Sequence, residues 1–391
     1  MGRLRFLTAG ESHGEMLSGI LEGMPAGLSL IATRDIDPIL RERQKGYGRG
    51  RRQQIEHDSA RIISGVRHGV TTGAPIALLI ENKDWKHWKD RMSVEPSKVE
   101  HTRVTIPRPG HADLAGALKY GHSADIRNVF ERASARETAM RVAIGAIASI
   151  LLKSLEIDSI SYVKSIGGIE SATPYDVFAA KHNLESSKVR VFGPIAEAKI
   201  ISIIDQAKEN GDTLGGVVEC VYRNVPLGIG SHVHWDRKLD CLIAQAVMSI
   251  QAVKAVEIGL GIASSVVKGS ETHDAIIIED GAITRSRNNA GGIEGGMSNG
   301  ELIVVRAAMK PISTLMRPLR SVDLATGQST EAHIERSDVC AVPALAVILE
   351  QVVAFTIASE ILETFGGDTV SELIARVTER RKALYISSDK K

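Results

Sequence analysis

Leu4, Phe6 and Thr8 alternate with other residues at period two, and the sequence GESHG (Gly10 to Gly14) follows. That period predicts a half-buried strand running into a glycine-rich turn. The same pattern predicts strands over 61–66, 74–81, 189–192, 215–226, 275–279 and 302–309, and Gly167 and Gly168 end another. A helical period appears at Ala139, Ala143, Ile147, Ile150 and Leu151. With Ser134 and Glu137 as an S-x-x-E capping box, it predicts a helix from Ser134 to about residue 155. Further helices are predicted over 196–209 and 239–256. The longest oily stretch, 341–358, contains Pro343, Glu350 and Gln351, which favours a buried helix over a membrane span. Residues 82–103 are polar and lysine-rich, as suits a surface excursion.

The 391 residues allow about two or three domains of ordinary size. A boundary between 155 and 190 is compatible with the pattern, but no Pro/Ser-rich linker marks one. The segments TTGAPIALLIENKD, DTLGGVVECVYRNVP and MSNGELIVVRAAMKP share a rhythm that hints at repeated strand-centred units. A net charge of +1 implies no polyanion partner, so basic charge matters only locally. Cys220, Cys241 and Cys340 are odd in number and widely spaced, which argues against a disulfide framework and fits a reducing cytoplasm. The first residues hold no apolar signal core, and Phe6 stands where a myristoylation signal needs Ser or Thr.

Chemistry concentrates in residues 103–141. Pro107, Pro109 and Gly110 fix a turn, and His111 and Asp113 stand on its far side. Arg132 and Arg136 flank the predicted helix start, a place that suits an anion. Residues 41–52, RERQKGYGRGRR, read as a basic loop because of Gly46, Gly48 and Gly50. Such a loop can bind RNA, be merely solvated, or close over a phosphorylated substrate with paired arginine forks. His232 and His234 would share one face of a strand beside Asp236, a weak metal signal with no further ligand cluster. Residues 285–301 are the richest in glycine, yet neither G-x-G-x-x-G between a strand and a helix nor a Walker A pattern is present.

Nine blocks, in order, resemble the chorismate synthase family: GESHG, RQKGYGRGRR, SGVRHGVTTGAP, RPGHAD, ERASARET, WDRKLD, NNAGGIEGGMSNG, MKPIST and ERSD. The match runs from Arg5 to about Thr364; the tail after Ala383 carries no motif. The resemblance implies one domain over 1–391 and an α+β fold, a sandwich of antiparallel β-sheets packed between layers of α-helices. It implies a cytoplasmic homotetramer that binds neither nucleic acid nor membrane. The implied reaction removes phosphate and a ring proton from 5-enolpyruvylshikimate 3-phosphate to give chorismate, the last common step of the shikimate pathway. Reduced FMN is required although nothing is oxidised or reduced overall, and NADPH is a candidate source of reducing equivalents.

By the same motif match, His13 is the acid near the leaving phosphate and His111 the proton source for the flavin. Histidine suits both roles because its pKa lies near working pH. Asp338 would help the flavin remove the ring proton. Arg43, Arg49 and Arg108 would supply cations to substrate, and Arg43 and Arg49 match NADP positions. Arg132, Ala133, Ser134, Gln251, Ala252, Gly295, Lys310, Pro311, Ile312, Ser313, Thr314 and Arg336 match FMN positions. Ala133 stands where the family often has Ser, so a hydroxyl is missing there. The flexible loop carrying Arg43 and Arg49 is expected to close once substrate and flavin are both bound. No metal is expected. An RNA-binding reading suffers from the near-neutral charge and the aromatic content of 4%.

Overall fold

A computed structural model describes residues 4–50, 57–97, 101–335 and 337–384. The opening alternation forms β1 (Arg5–Ala9), which turns through the GESHG segment into β2 (Met16–Glu22). With β3 (Ala60–Ile62) and β4 (Ile76–Glu81) they make an antiparallel sheet in the order β1-β2-β4-β3. The second antiparallel sheet contains β5 (Asp158–Ile166), β6 (Ile169–Glu170), β7 (Gly216–Arg223), β8 (Val253–Ile258) and β9 (Ile303–Met309). Its order is β8-β9-β7-β5-β6.

The helices that matter for the site are α1 (Asp37–Gln44), α2 (Asp113–Tyr120), α3 (Arg127–Ala133) and α4 (Thr138–Ser154). Later come α5 (Pro194–Glu209), α6 (Leu239–Met248) and α7 (Val342–Phe365). Helix α4 lies on β1, β2 and β4, α7 lies on β5 and β7, and the two helices pack on each other. The chain thus forms the α+β class with antiparallel sheets. The layer order is the inverse of the expected one, in which sheets lie between helical layers: the two long helices lie inside the sandwich, with a sheet on either outer side, because each covers one sheet and packs on the other helix. This explains why α7 is apolar all round: it meets protein on every side. It is the one described helix long and apolar enough to cross a membrane, and its most apolar stretch is 78% buried within the protein.

The helices cross closely at Gly145, where a Cβ would lie 2.4 Å from the Gln351 carbonyl oxygen. Beside that crossing the Ser149 hydroxyl donates to Gln351 Oε1 at 2.8 Å, so the buried amide is used.

Several predicted elements end elsewhere. The helix expected over 239–256 stops at Met248, and Val253–Ile258 pairs with β9 instead. Ala252 takes a left-handed conformation (φ 68°), which turns the chain between them. The strand expected over 189–192 is absent, because Arg190 is also left-handed (φ 60°) and interrupts the extended run. The strand expected over 61–66 ends at Ile62, and Val66–Arg67 belongs to a separate small hairpin. His232 and His234 lie in a bend and not on a strand. Residues 41–44 are the last turns of α1 and not loop.

Candidate active site

Two turns each present a histidine backed by a carboxylate. Gly10 (φ 106°) starts the first, since a Cβ there would sit 2.4 Å from the Met16 carbonyl oxygen. It leads to His13, whose Nδ1 lies 2.9 and 3.0 Å from the two oxygens of Glu131 on α3. The His13 backbone N–H donates to the same carboxylate at 2.8 Å, and Arg127, one turn earlier on α3, donates to it at 3.3 Å. Trp88, in the lysine-rich excursion, stacks on the His13 ring with centroids 4.0 Å apart.

The second turn is the Pro–Gly turn of the RPGHAD motif. His111 Nδ1 hydrogen-bonds Asp113 at the start of α2. Arg108 is buried and donates to Asp113 through Nε at 2.8 Å and Nη2 at 3.2 Å, and to Thr314 at 3.1 Å. Burial by itself would raise the Asp113 pKa, but hydrogen bonds from His111 and Arg108 override it and hold the carboxyl well below the usual range. Glu335 feels both turns. Burial raises its pKa, and His333, Arg108 and His13 together bring it below the ordinary value.

The basic run divides in two. Arg43 is buried and donates to Thr138, to the Ala135 carbonyl and, at 3.5 Å, to Asp58. Burial lowers its pKa to about 10, partly offset by Asp58 and reinforced by Arg136 and Arg49. Arg49 pairs with Asp338 at 2.9 Å, and its buried Nε has no hydrogen-bond partner. Residues 45–50 are tied in place: Tyr47 N–H donates to the Lys188 carbonyl, Val339 N–H to Gly48, and Gly50 N–H to Asp338. The expectation of an open loop does not fit this part of the run; Arg51 and Arg52 lie outside the described residues.

The flavin candidates gather at the edge of both sheets. Lys310 N–H donates to the Ala252 carbonyl at 3.0 Å, and its ammonium bonds Gly110 beside His111. Thr314 receives Arg108, and the Ile312 carbonyl accepts from Thr213. Arg132, Glu137, Arg141 and Gln251 line a cleft of about 370 Å³ with Phe6, Leu7 and Thr8. Gln251 donates to Glu137 while its buried Oε1 lacks a partner. Ser134 caps the helical turn after α3 by accepting from Arg136 N–H. Glu137 does not complete the predicted capping box; it accepts instead from Thr8, Arg141 and Gln251. Ala133 ends α3 next to Ser134, with only backbone to offer.

Gly295 is not brought in. Its neighbour Gly296 accepts from Leu239 N–H at the start of α6, whereas Gln251 follows that helix's end. The ten residues of α6 separate them by about 15 Å. Arg336 lies outside the described residues. Histidines 232 and 234 stand apart, with His234 paired to Asp236 at the surface. Among the described residues no group of three or more His, Cys, Asp or Glu could hold a metal ion.

Sequence reading missed Glu131, Trp88 and Asp58. Glu131 carried a signal, the i,i+4 spacing from Arg127 on a helix. Trp88 carried none.

Fold and site together define an α+β protein in which two carboxylate-backed histidines are set around a buried arginine and Glu335. The chorismate synthase family model matches residues 4–362. The chain is 54% identical over 382 residues to chorismate synthase of Moorella thermoacetica, covering 97% of this chain and 99% of that protein. It is 52% identical over 385 residues to the enzyme of Geobacillus sp. (strain WCH70), with the same coverage. A crystal structure of chorismate synthase superposes with a TM-score of 0.78 at 41% identity, covering 97% of this chain and 98% of that one. The chain belongs to the chorismate synthase family, whose members are lyases of aromatic amino acid biosynthesis.

Proposed function

We propose that this chain converts 5-enolpyruvylshikimate 3-phosphate to chorismate by 1,4-elimination of phosphate and a ring proton, with reduced FMN and no net redox change. The observation that carries this reading is the pair of histidine–carboxylate units, His13–Glu131 and His111–Asp113, set around Arg108 and Glu335. His13 supplies a proton to the departing phosphate, and His111 exchanges one with the flavin side. Arg49 and Arg108 offset the substrate's negative charge. Asp338, held by Arg49 and Gly50, assists removal of the ring proton.

Arg132, Ala133, Ser134, Gln251, Ala252 and the segment Lys310–Thr314 would hold FMN. The cleft at Arg132 and Gln251, and the unpartnered Gln251 Oε1, fit a ligand with hydrogen-bond donors. When bound, the reduced flavin supplies an electron-rich ring that can lend charge while phosphate leaves. Gly295 would reach such a pocket from a second copy, in keeping with a homotetramer. Cys220, Cys241 and Cys340 are free thiols, in keeping with a cytoplasmic enzyme. NADPH, with Arg49 and Arg43 as its contacts, would be a source of reducing equivalents. The decisive experiment is anaerobic turnover: activity is expected with FMN plus dithionite and none with oxidised FMN. Equal activity in both states, or none in either, overturns the reading.

A further inference from the structure

Glu131 and Trp88 both act on His13, and neither belongs to the residues assigned above to substrate or flavin. Glu131 has a fully buried carboxylate and takes three contacts from the histidine, two to Nδ1 and one from its backbone N–H. Arg127 anchors that carboxylate from the preceding helical turn. A carboxylate only accepts, so Nδ1 must carry the hydrogen. Proton exchange with anything else then runs through Nε2. Trp88 covers one face of the ring, and its own Nε1–H donates to Asp84 at 3.1 Å, which fixes the indole.

Arg127 also ties this unit to the other histidine. Its guanidinium lies 5.1 Å from the Trp88 ring and 4.9 Å from Phe130, and Arg108 lies 4.9 Å from Phe130. Cation and aromatic ring alternate from Trp88 to Arg108, and each arginine anchors the carboxylate behind one histidine.

We propose that Glu131 and Trp88 are positioning residues for His13, Glu131 fixing its hydrogen on Nδ1 and Trp88 holding the ring plane, so that Nε2 faces the reacting phosphate. The proposal rests on the reading of His13 as the proton donor. Two measurements test it.

The first is a double-mutant cycle under anaerobic conditions with reduced FMN. Glu131→Gln is expected to lower kcat by about ten- to a hundredfold with little change in KM, as loss of an outer orienting carboxylate does elsewhere. In a His13→Asn background the same change is expected to have no further effect. Additive losses would mean a merely structural role and overturn the Glu131 assignment.

The second needs no turnover. In a Trp85→Phe, Trp235→Phe form, Trp88 is the remaining indole. Stacking covers one face of the indole, so acrylamide quenching of Trp88 is expected to be weak in this form. Asp84, Arg91 and Arg127 also face Trp88 and are common to both proteins compared. Quenching should rise clearly in His13→Ala; if it is unchanged there, the stack is not what holds His13. Should the wild-type protein fail to turn over at all, the functional reading falls, while the fluorescence result still decides the stacking.

Discussion

At the scale of single residues, the proposed site pairs each histidine with a carboxylate that holds it. His13→Ala and His111→Ala should each slow turnover by roughly 10²-fold or more, the usual scale for general acid catalysis, with circular dichroism unchanged. Near-normal rates in either variant would remove that histidine from the mechanism. Asp113 makes a different prediction. Its folded pKa lies below the ordinary 3.8, so its ionised form stabilises the native state above that value. The contribution is lost as pH falls through the folded pKa. Asp113→Asn should be less stable than the parent at neutral pH, and the gap should narrow on acidification. Urea unfolding at several pH values gives the answer, and a constant gap would contradict it. The two histidines were legible because each sits among glycines or prolines in a short motif. The spacing of Glu131 from Arg127 was visible, but its link to His13 was not, because that depends on the turn that folds His13 onto α3, a contact across 118 residues of chain.

At the scale of elements, legibility followed local conformation. The helix α4 was readable from its apolar period and the buried helix α7 from its long oily run. The boundary at 248–253 was not, because Ala, Ile and Val continue through it and the turn depends on one left-handed alanine. The α4–α7 crossing carries its own prediction. Gly145→Ala gains up to about 1 kcal/mol of helix propensity. It also forces a methyl into the Gln351 backbone, and overpacking of this kind costs about 1–3 kcal/mol. Net destabilisation is expected in urea, and a more stable variant would show that the helices can slide apart. Near the far end of α7, burial and the neighbouring Glu363 raise the Glu360 pKa from 4.5 to about 7. Between those values the native state binds more protons than the unfolded one, so stability falls as pH rises. Glu360→Gln should flatten that slope and raise stability at about pH 8; an unchanged slope would place the titration elsewhere.

At the scale of the whole molecule, the basic segment is already docked. Lys45 and Arg49 lie in backbone bonded to Lys188, Val339 and Asp338, so trypsin should cut there slowly even without ligand. Rapid cutting at Lys45 or Arg49 that ligands suppress would restore the closing loop. The layered interior has one more consequence. Helix α7 fills the centre between two sheets whose strands were all made before it. Phe6 of β1 packs edge-on against Phe355, and Ser359 bonds the Leu4 carbonyl. During synthesis on the ribosome, α4 can cover the first sheet early, but the face that α4 turns to α7 and the inner face of β5 and β7 stay bare until α7 is made. A chain cut before Val342 should therefore yield an aggregating or protease-sensitive product, and a soluble, protease-resistant one would show that the rest of the chain closes its core without α7.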